Sequence, residues 1–443
     1  MAGLAGLAAG VGVAAFAWSS HSAASGRSLP PPHMLVDRFG YRPGHGPLLP
    51  AGGPATFHWS PLLTSVSTSG SDDAWIVGSV AWHWEGSRWR AVRLPRIGGQ
   101  PSLAGVATIA ADDAWAVGST SAPDGEIVHT HPLVEHWNGM AWSVVPLSLG
   151  TPAALDAVSA SSPDNVWASG WWEPPGLGRN QADAALRPLV AHWDGTAWHV
   201  MHVFEPWESE AAHVVALAAD DVWVSGSTLS THAFVAHWDG SRWAHIRAPF
   251  GIHDPASGIT ATSADDVWAV GSYGVKVNAR TLAAHWDGHR WMIAPTPDRN
   301  SDSMLTAVAE ISPTDVWAAG QRFDYRVIHN SPKCLVRRCT EMIGHGPWTF
   351  YAHWDGRRWS AAPAPGFASM DLADQQLGVA ADGSAWAVGY CGSDNLVARW
   401  NGRAWLAMRH PPDIHWVSHT PARLRVLPRS TCAPARHVPK RAA

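Results

Sequence analysis

The chain has 443 residues, 46% hydrophobic and 15% charged, and its oddity is 29 Trp against 5 Tyr. A formal net charge of -5 supplies no general basic field, which excludes nucleic acid as an expected partner. So many Trp call for a structural unit that is copied, and an internal repeat is the first thing to seek.

The first eighteen residues, MAGLAGLAAGVGVAAFAW, are apolar and uncharged, and Ser22 and Ala24 suit cleavage after Ala24. Residues 1–24 are expected to be a secretory signal or, because no Lys or Arg precedes Arg27, a short retained anchor. The protein is accordingly expected outside the cytoplasm, with any membrane contact made through that segment. Residues 25–56 hold seven Pro and six Gly without apolar periodicity and read as an extended linker.

From residue 57 the chain is repetitive. A loose D-x-W-x-x-G occurs seven times, at Trp75, Trp115, Trp167, Trp223, Trp268, Trp317 and Trp386. After each copy comes W-[DEN]-G-x-x-W, with Trp pairs 84/89, 137/142, 193/198, 238/243, 286/291, 354/359 and 400/405. Repeat 5 shows four short strands as GITATS, DVWAVG, TLAAHW and RWMIAP. Asp287-Gly288 is a two-residue hairpin signal, because both central positions of a type I′ turn need positive φ. Asp265 and Asp266 mark the other tight turn, with carboxylates able to accept backbone N–H bonds. Four antiparallel strands repeated seven times predict an all-β fold, a seven-bladed β-propeller over residues 57–410, with Trp filling the gaps between blades. Residues 411–443 form a tail with six basic and no acidic residues from Pro421 onward.

The hairpin HWDGTAW after DVWAVG-type strands resembles the repeats of bacterial propellers of the Asp-box type, including sialidase-like proteins and the photosystem II assembly factor family. The match is in pattern: an Asp-box places one more residue between Asp and Gly. W-D-G-x-x-W is also similar to hairpins of fucose-binding lectin propellers. Those lectins carry a Glu three residues before the first Trp, where this chain has Val190, Val235, Ala283 or Tyr351. The resemblance therefore implies the fold and leaves the fucose clamp behind.

His precedes the second Trp in six repeats (His83, His136, His192, His237, His285, His353), and Arg399 replaces it in the seventh. In a ring these six lie in separate blades, too far apart to share an ion bound at about 2 Å. They are expected to be structural, each bonded to a Ser, Thr or Asp of its own blade. His129 and His131 place two imidazoles on one side of an extended segment without an apparent third ligand. No metal and no cofactor is expected.

Function is sought where the repeats differ. From third Trp to the next first Trp the spacing is 25 to 27 residues, whereas from first to second Trp it runs 9, 22, 26, 15, 18, 37 and 14. Length variation thus falls between the second and third strands, whose connections share one face of a propeller, and variable loops on a constant frame are where binding resides. Candidate binding residues there are Trp171, Trp172, Glu173, Trp207, Glu208, Tyr273, Tyr325, Trp348 and Tyr390, with Phe323 and Glu210 nearby. Aromatic faces beside carboxylates suit sugar rings. No G-x-S-x-G, Walker-type or H-E-x-x-H motif occurs, and no catalytic residue is assigned. Cys334 with Cys339 and Cys391 with Cys432 are expected to form disulfides in an exported protein.

The sequence therefore predicts a monomeric, exported, non-catalytic propeller. Its partner is a glycan, a cell-envelope polymer or a protein, and a glycan-active hydrolase or lyase with carboxylates on the same face is the alternative. A photosystem-type assembly role is a third reading, by fold analogy alone.

Overall fold

In the computed structural model, seven copies of one four-stranded meander account for every strand among the described residues. The structure describes residues 63–124, 127–175, 186–201, 203, 209–228, 233–247, 256–274, 279–297, 302–329, 340–362, 376–391 and 394–408. Blade 1 is β1 (Leu63–Gly70), β2 (Asp73–Gly78), β3 (Ala81–Glu85) and β4 (Trp89–Val92). Blade 2 is β5 (Gln100–Ala110), β6 (Asp113–Asp124), β7 (Ile127–Trp137) and β8 (Trp142–Val144). Blade 3 is β9 (Ala153–Ser162), β10 (Asn165–Trp172), β11 (Arg187–Trp193) and β12 (Trp198–Met201). Blade 4 is β13 (Ser209–Ala218), β14 (Asp221–Thr228), β15 (Ala233–Trp238) and β16 (Trp243–His245). Blade 5 is β17 (Ala256–Ser263), β18 (Asp266–Tyr273), β19 (Arg280–Trp286) and β20 (Trp291–Ile293). Blade 6 is β21 (Asp302–Ser312), β22 (Asp315–His329), β23 (Thr340–Trp354) and β24 (Trp359–Ala362). Blade 7 is β25 (Gln376–Val379), β26 (Ala385–Cys391), β27 (Asp394–Trp400) and β28 (Trp405–Met408).

Strands pair in sequence order within each sheet. Each first strand packs on the first strand of the next blade, and β25 packs on β1, so the first strands form an inner ring. All four strands of blade 7 are consecutive in sequence, and the ring closes by packing rather than by strand exchange. Neighbouring inner strands are stitched by hydroxyls: Ser65 Oγ accepts from Val106 N, Ser67 Oγ from Thr108 N, Ser159 Oγ from Ala216 N and Thr260 Oγ1 from Glu310 N, at 2.9 to 3.3 Å.

The Trp repeat is the glue between blades. Trp75 on β2 is fully buried and packs on both Trp137 and Trp142 of blade 2, with ring centroids 5.0 and 4.9 Å away. Trp115, Trp167, Trp223, Trp268 and Trp317 repeat the arrangement against the Trp pair of the following blade. Trp386 completes it on Trp84 and Trp89, at 5.2 and 5.1 Å. Seven tilted or edge-to-face triads therefore carry the wedge-shaped junctions, a geometry that aromatic quadrupoles favour.

The conserved spacing of His is explained within each blade. His83, His136, His237, His285 and His353 bond through Nε2 to Asp73, Asp113, Asp221, Asp266 and Asp315 at 2.6 to 2.9 Å, and His192 bonds Asn165 at 2.7 Å. Each imidazole also lies on the Trp two residues after that Asp or Asn, as His83 does on Trp75 at 4.3 Å. Five of the six His thus bond an Asp of their own blade, as the sequence led one to expect, and His192 bonds an Asn instead.

The Asp-Gly hairpin differs from expectation. Trp193 pairs directly with Trp198, which leaves a four-residue connection in place of a two-residue one. Asp194 Oδ1 accepts from the backbone N–H of Thr196 and Ala197, and Gly195 supplies the positive φ of 91°. The same pairing closes the hairpins at Asp239, Asp287 and Asp355. Five-residue Trp spacing fixes this length, and the carboxylate caps the turn.

Candidate functional site

Where the inner strands meet, a cavity of about 190 Å³ runs along the ring axis, lined by residues from all seven blades. Its polar lining is Thr64, Ser65, Asp156, His213, Ser257, Thr306 and Gln376, and no Lys or Arg contributes.

The lining is set by a bulge that recurs in six blades. Between Leu63 and Ser65, Leu103 and Gly105, Leu155 and Ala157, Ala256 and Gly258, and Leu305 and Ala307, the inner strand carries one residue more than its partner. Between Glu210 and His213 the same shift occurs in blade 4. A bulge re-aims a side chain, and the inserted residues Thr64, Ala104, Asp156, Ala212, Ser257 and Thr306 all line the channel. The bulge also explains the Gly of D-x-W-x-x-G. A Cβ on Gly170 would lie 2.1 Å from Ala154 O, and one on Gly118 2.0 Å from Ser102 O, so only Gly lets the second strand pass the bulged one.

Thr at the bulge position is satisfied by main chain: Thr64 Oγ1 donates to Leu103 O at 2.7 Å. Asp156 replaces that hydroxyl with a carboxyl. Burial, reinforced by the nearby Glu210 charge, raises Asp156 well above the usual carboxylate range. Glu210, second residue of β13 and nearer the face where β13 begins, is raised by burial too. Burial lowers His213 to about 4, so its imidazole is neutral at neutral pH. Asp156 and the neutral imidazole of His213 thus line one channel, and Glu210 lies close enough to oppose ionisation of Asp156.

The face predicted from spacing takes an unexpected form. In blades 2 and 6 the insertions continue the sheet as hairpin ribbons: β6 and β7 stay paired to Asp124 and Ile127, and β22 and β23 to His329 and Thr340. Loops were expected, but alternating stretches such as QRFDYRVIH extend the ladder instead. Blades 2 and 6 stand three blades apart, so the ribbons flank the channel.

Trp171 and Trp172 are the last two residues of β10 rather than loop residues, opposite Pro188 and Arg187, and both are partly buried. Trp172 packs on the apolar cluster between blades 2 and 3 that includes Trp115, Val134 and Leu155. Glu173 follows, its N–H donating to Pro152 O at 2.8 Å. Tyr273 ends β18 opposite Arg280 and is 47% exposed. Tyr325 and Trp348 fall on the blade 6 ribbon opposite Gly344 and Arg322, and Tyr390 on β26 opposite Asn395; their side chains lie outside the described residues. So do Trp207, Glu208, Cys334, Cys339, Cys432 and the Cys391 side chain. His131 is exposed on β7, and among the described residues no three His, Cys, Asp or Glu converge as a metal site.

Sequence reasoning missed Asp156 and His213. A signal was present: AALDAVSA interrupts an apolar inner strand with one acid three residues after the strand begins.

No family model matches the chain, and no curated protein matches it. Solved structures do. YCF48 bound to D1 peptide is 13% identical with a TM-score of 0.46, over 77% of this chain and 92% of that one. The GH74 xyloglucanase from Xanthomonas campestris is 15% identical with a TM-score of 0.50, and this chain covers 54% of its length with 79% of its own. The SapL1 lectin in complex with alpha methyl fucoside is 14% identical with a TM-score of 0.38, over 66% of this chain and 94% of that chain. At these identities the likeness is one of fold, and the chain is a seven-bladed β-propeller by its own strand order.

Proposed function

We propose that the protein is an exported, non-catalytic binding platform that takes a glycan or cell-envelope polymer on the face carrying the second-to-third-strand connections. The observation that carries this reading is the confinement of length variation to that face, where two ribbons flank a polar axial channel. A ring built from seven matched Trp triads is rigid, which lowers the ordering cost of binding. Exposed Tyr273 and partly buried Trp171 offer aromatic surface for sugar C–H faces.

A glycan array and isolated envelope polysaccharides, screened with the full chain and with product analysis of each hit, test the proposal. Binding without turnover, weakened in Trp171→Ala and Tyr273→Ala, is expected. No hit on any glycan overturns it in favour of a protein partner.

The second reading, a glycan-active enzyme, is favoured by one observation: Asp156 and Glu210 are neighbouring carboxyls whose proton affinity burial raises, and glycoside cleavage needs one protonated carboxyl beside an ionised one. Turnover abolished by Asp156→Asn or Glu210→Gln establishes it.

A further inference from the structure

The axial channel holds chemistry that the outer face does not need. Asp156 lines it on an inserted residue, and no hydrogen bond from any described residue reaches its carboxyl, in contrast to Thr64 at the same position of blade 1. His213 lines the channel one blade along, and Glu210 lies close enough for its charge to bear on Asp156. β9, which carries Asp156, packs against β5, β6, β7, β10 and β13. β6 and β7 carry Asp113, His131, Glu135 and His136. Of all the titratable groups on these strands, the ones that line the channel beside Asp156 or bear on its charge are His213 and Glu210 of β13. No cation faces the pair from the lining.

We infer that the channel is a binding site for an amino sugar with a free ammonium group, the ammonium seated on the Asp156 carboxyl within the field of Glu210 and the ring hydroxyls on the polar lining. This rests on the glycan-binding reading and names the unit recognised. A divalent cation fits less well, because it needs six or more oxygens at fixed distance and no three acidic or His side chains converge among the described residues. A lysine side chain would leave much of a cavity of about 190 Å³ unfilled, and an engineered cavity of about 150 Å³ already admits a six-membered ring. Hydroxyl and amide groups of Ser257, Thr306 and Gln376 line the remaining wall, and a ring bearing hydroxyls matches them.

Binding then has a proton balance. Asp156 enters the complex ionised beside the ammonium, and the proton that burial favours on it is released to solvent.

The test is calorimetry on the full chain with glucosamine oligomers, in buffers of different ionisation enthalpy between pH 5 and 7. Net proton release is expected, with affinity reduced at least about tenfold for the N-acetylated oligomers and for Asp156→Asn. Asp156→Ala, the residue found at this position in blades 2 and 4 (Ala104 and Ala212), gives the same loss in a variant whose fold the other blades tolerate. Equal binding of N-acetylated oligomers, absence of proton release, or unchanged affinity in both variants overturns the inference. Binding of oligolysine but not of glucosamine oligomers overturns it too. If other glycans bind the face while glucosamine oligomers do not, this inference fails and the platform reading stands.

Discussion

Arg399 of blade 7 donates a 2.8 Å hydrogen bond to the carbonyl of Ser71 in blade 1, across 328 residues of sequence. Its guanidinium also lies over the rings of Trp84 and Trp386, 5.7 and 5.2 Å from their centroids. Ser71 N in turn donates to Asp382 of blade 7 at 2.8 Å. The first and last blades are thereby joined by a polar clasp laid over the seventh Trp triad.

Arg399→Ala is expected to lower stability by about 2 to 3 kcal/mol, the loss of a charged hydrogen bond and a cation–π contact. Blade 7 has Ser384 where six blades have the His-binding Asp or Asn. Arg399→His alone is therefore expected to be as damaging as alanine, while Arg399→His with Ser384→Asp recovers part of the loss. Chemical denaturation of the four-member cycle checks this, and additive effects refute the pairing.

Trp268→Ala removes a side chain that is 1% exposed and contacts Trp354 and Trp359 of the next blade. A cost of about 3 to 5 kcal/mol is expected. The exposed turn variant Asp239→Ala, which loses caps on two N–H groups, the Ser241 hydroxyl bond and a surface ion pair with Arg242, serves as the mild comparison in the same melts.

Glu135 supplies a pH signature. It is 1% exposed on β7, where five other blades have Ala, and its Oε2 has no hydrogen-bond partner. Burial pushes it up to about 7. The folded state binds this proton more tightly than the unfolded state, so the group costs nothing below its unfolded value near 4.5. Stability then falls as pH rises toward about 7 and stays lower above it, by about 3 kcal/mol in all. Glu135→Gln is expected to match the parent at pH 4 and to be more stable at pH 8. A pH-independent difference in melting temperature sinks the assignment.

Gly170→Ala is expected to cost about 3 kcal/mol, because its Cβ would meet the Ala154 carbonyl and the Leu155 Cα, both main chain. Relief requires the bulge to move, and Asp156 with it. The same substitution should weaken any ligand that depends on Asp156, whereas Gly150→Ala, at a site open around the Cβ but with positive φ, should strain only its own turn.

The frame was legible because it is copied. Seven Trp triads and six His partners follow from period alone, since any residue that recurs in every blade has to answer a need of every blade. Two features escaped. The bulge residues Thr64, Ala104, Asp156, Ala212, Ser257 and Thr306 share no side-chain type, and a one-residue register shift leaves no mark in hydropathy. Its trace was indirect, in the Gly three residues after each first Trp. The ribbons of blades 2 and 6 escaped because insertion length reports size and not conformation; residues 321–329 alternate, yet the count of 37 between Trp317 and Trp354 reads as loop. The Asp-Gly pair was misread for a third reason: a strong local turn signal was followed although Trp spacing already required two more residues.

The bulge has a consequence for how such a protein can change. The repeated buried positions are tied to a neighbour: a Trp must fit its triad, a His its Asp or Asn, a Gly its carbonyl. The inserted residue of six inner strands faces the central void, and among the described residues only its two Thr, Thr64 and Thr306, also bond main-chain carbonyls. Six such seats, occupied here by Thr, Ala, Asp, Ala, Ser and Thr, can be reassigned one at a time while the blades stay as they are. The ring separates the part of the molecule that must be uniform from the part that is free to spell out a preference, and it writes the second inside the first.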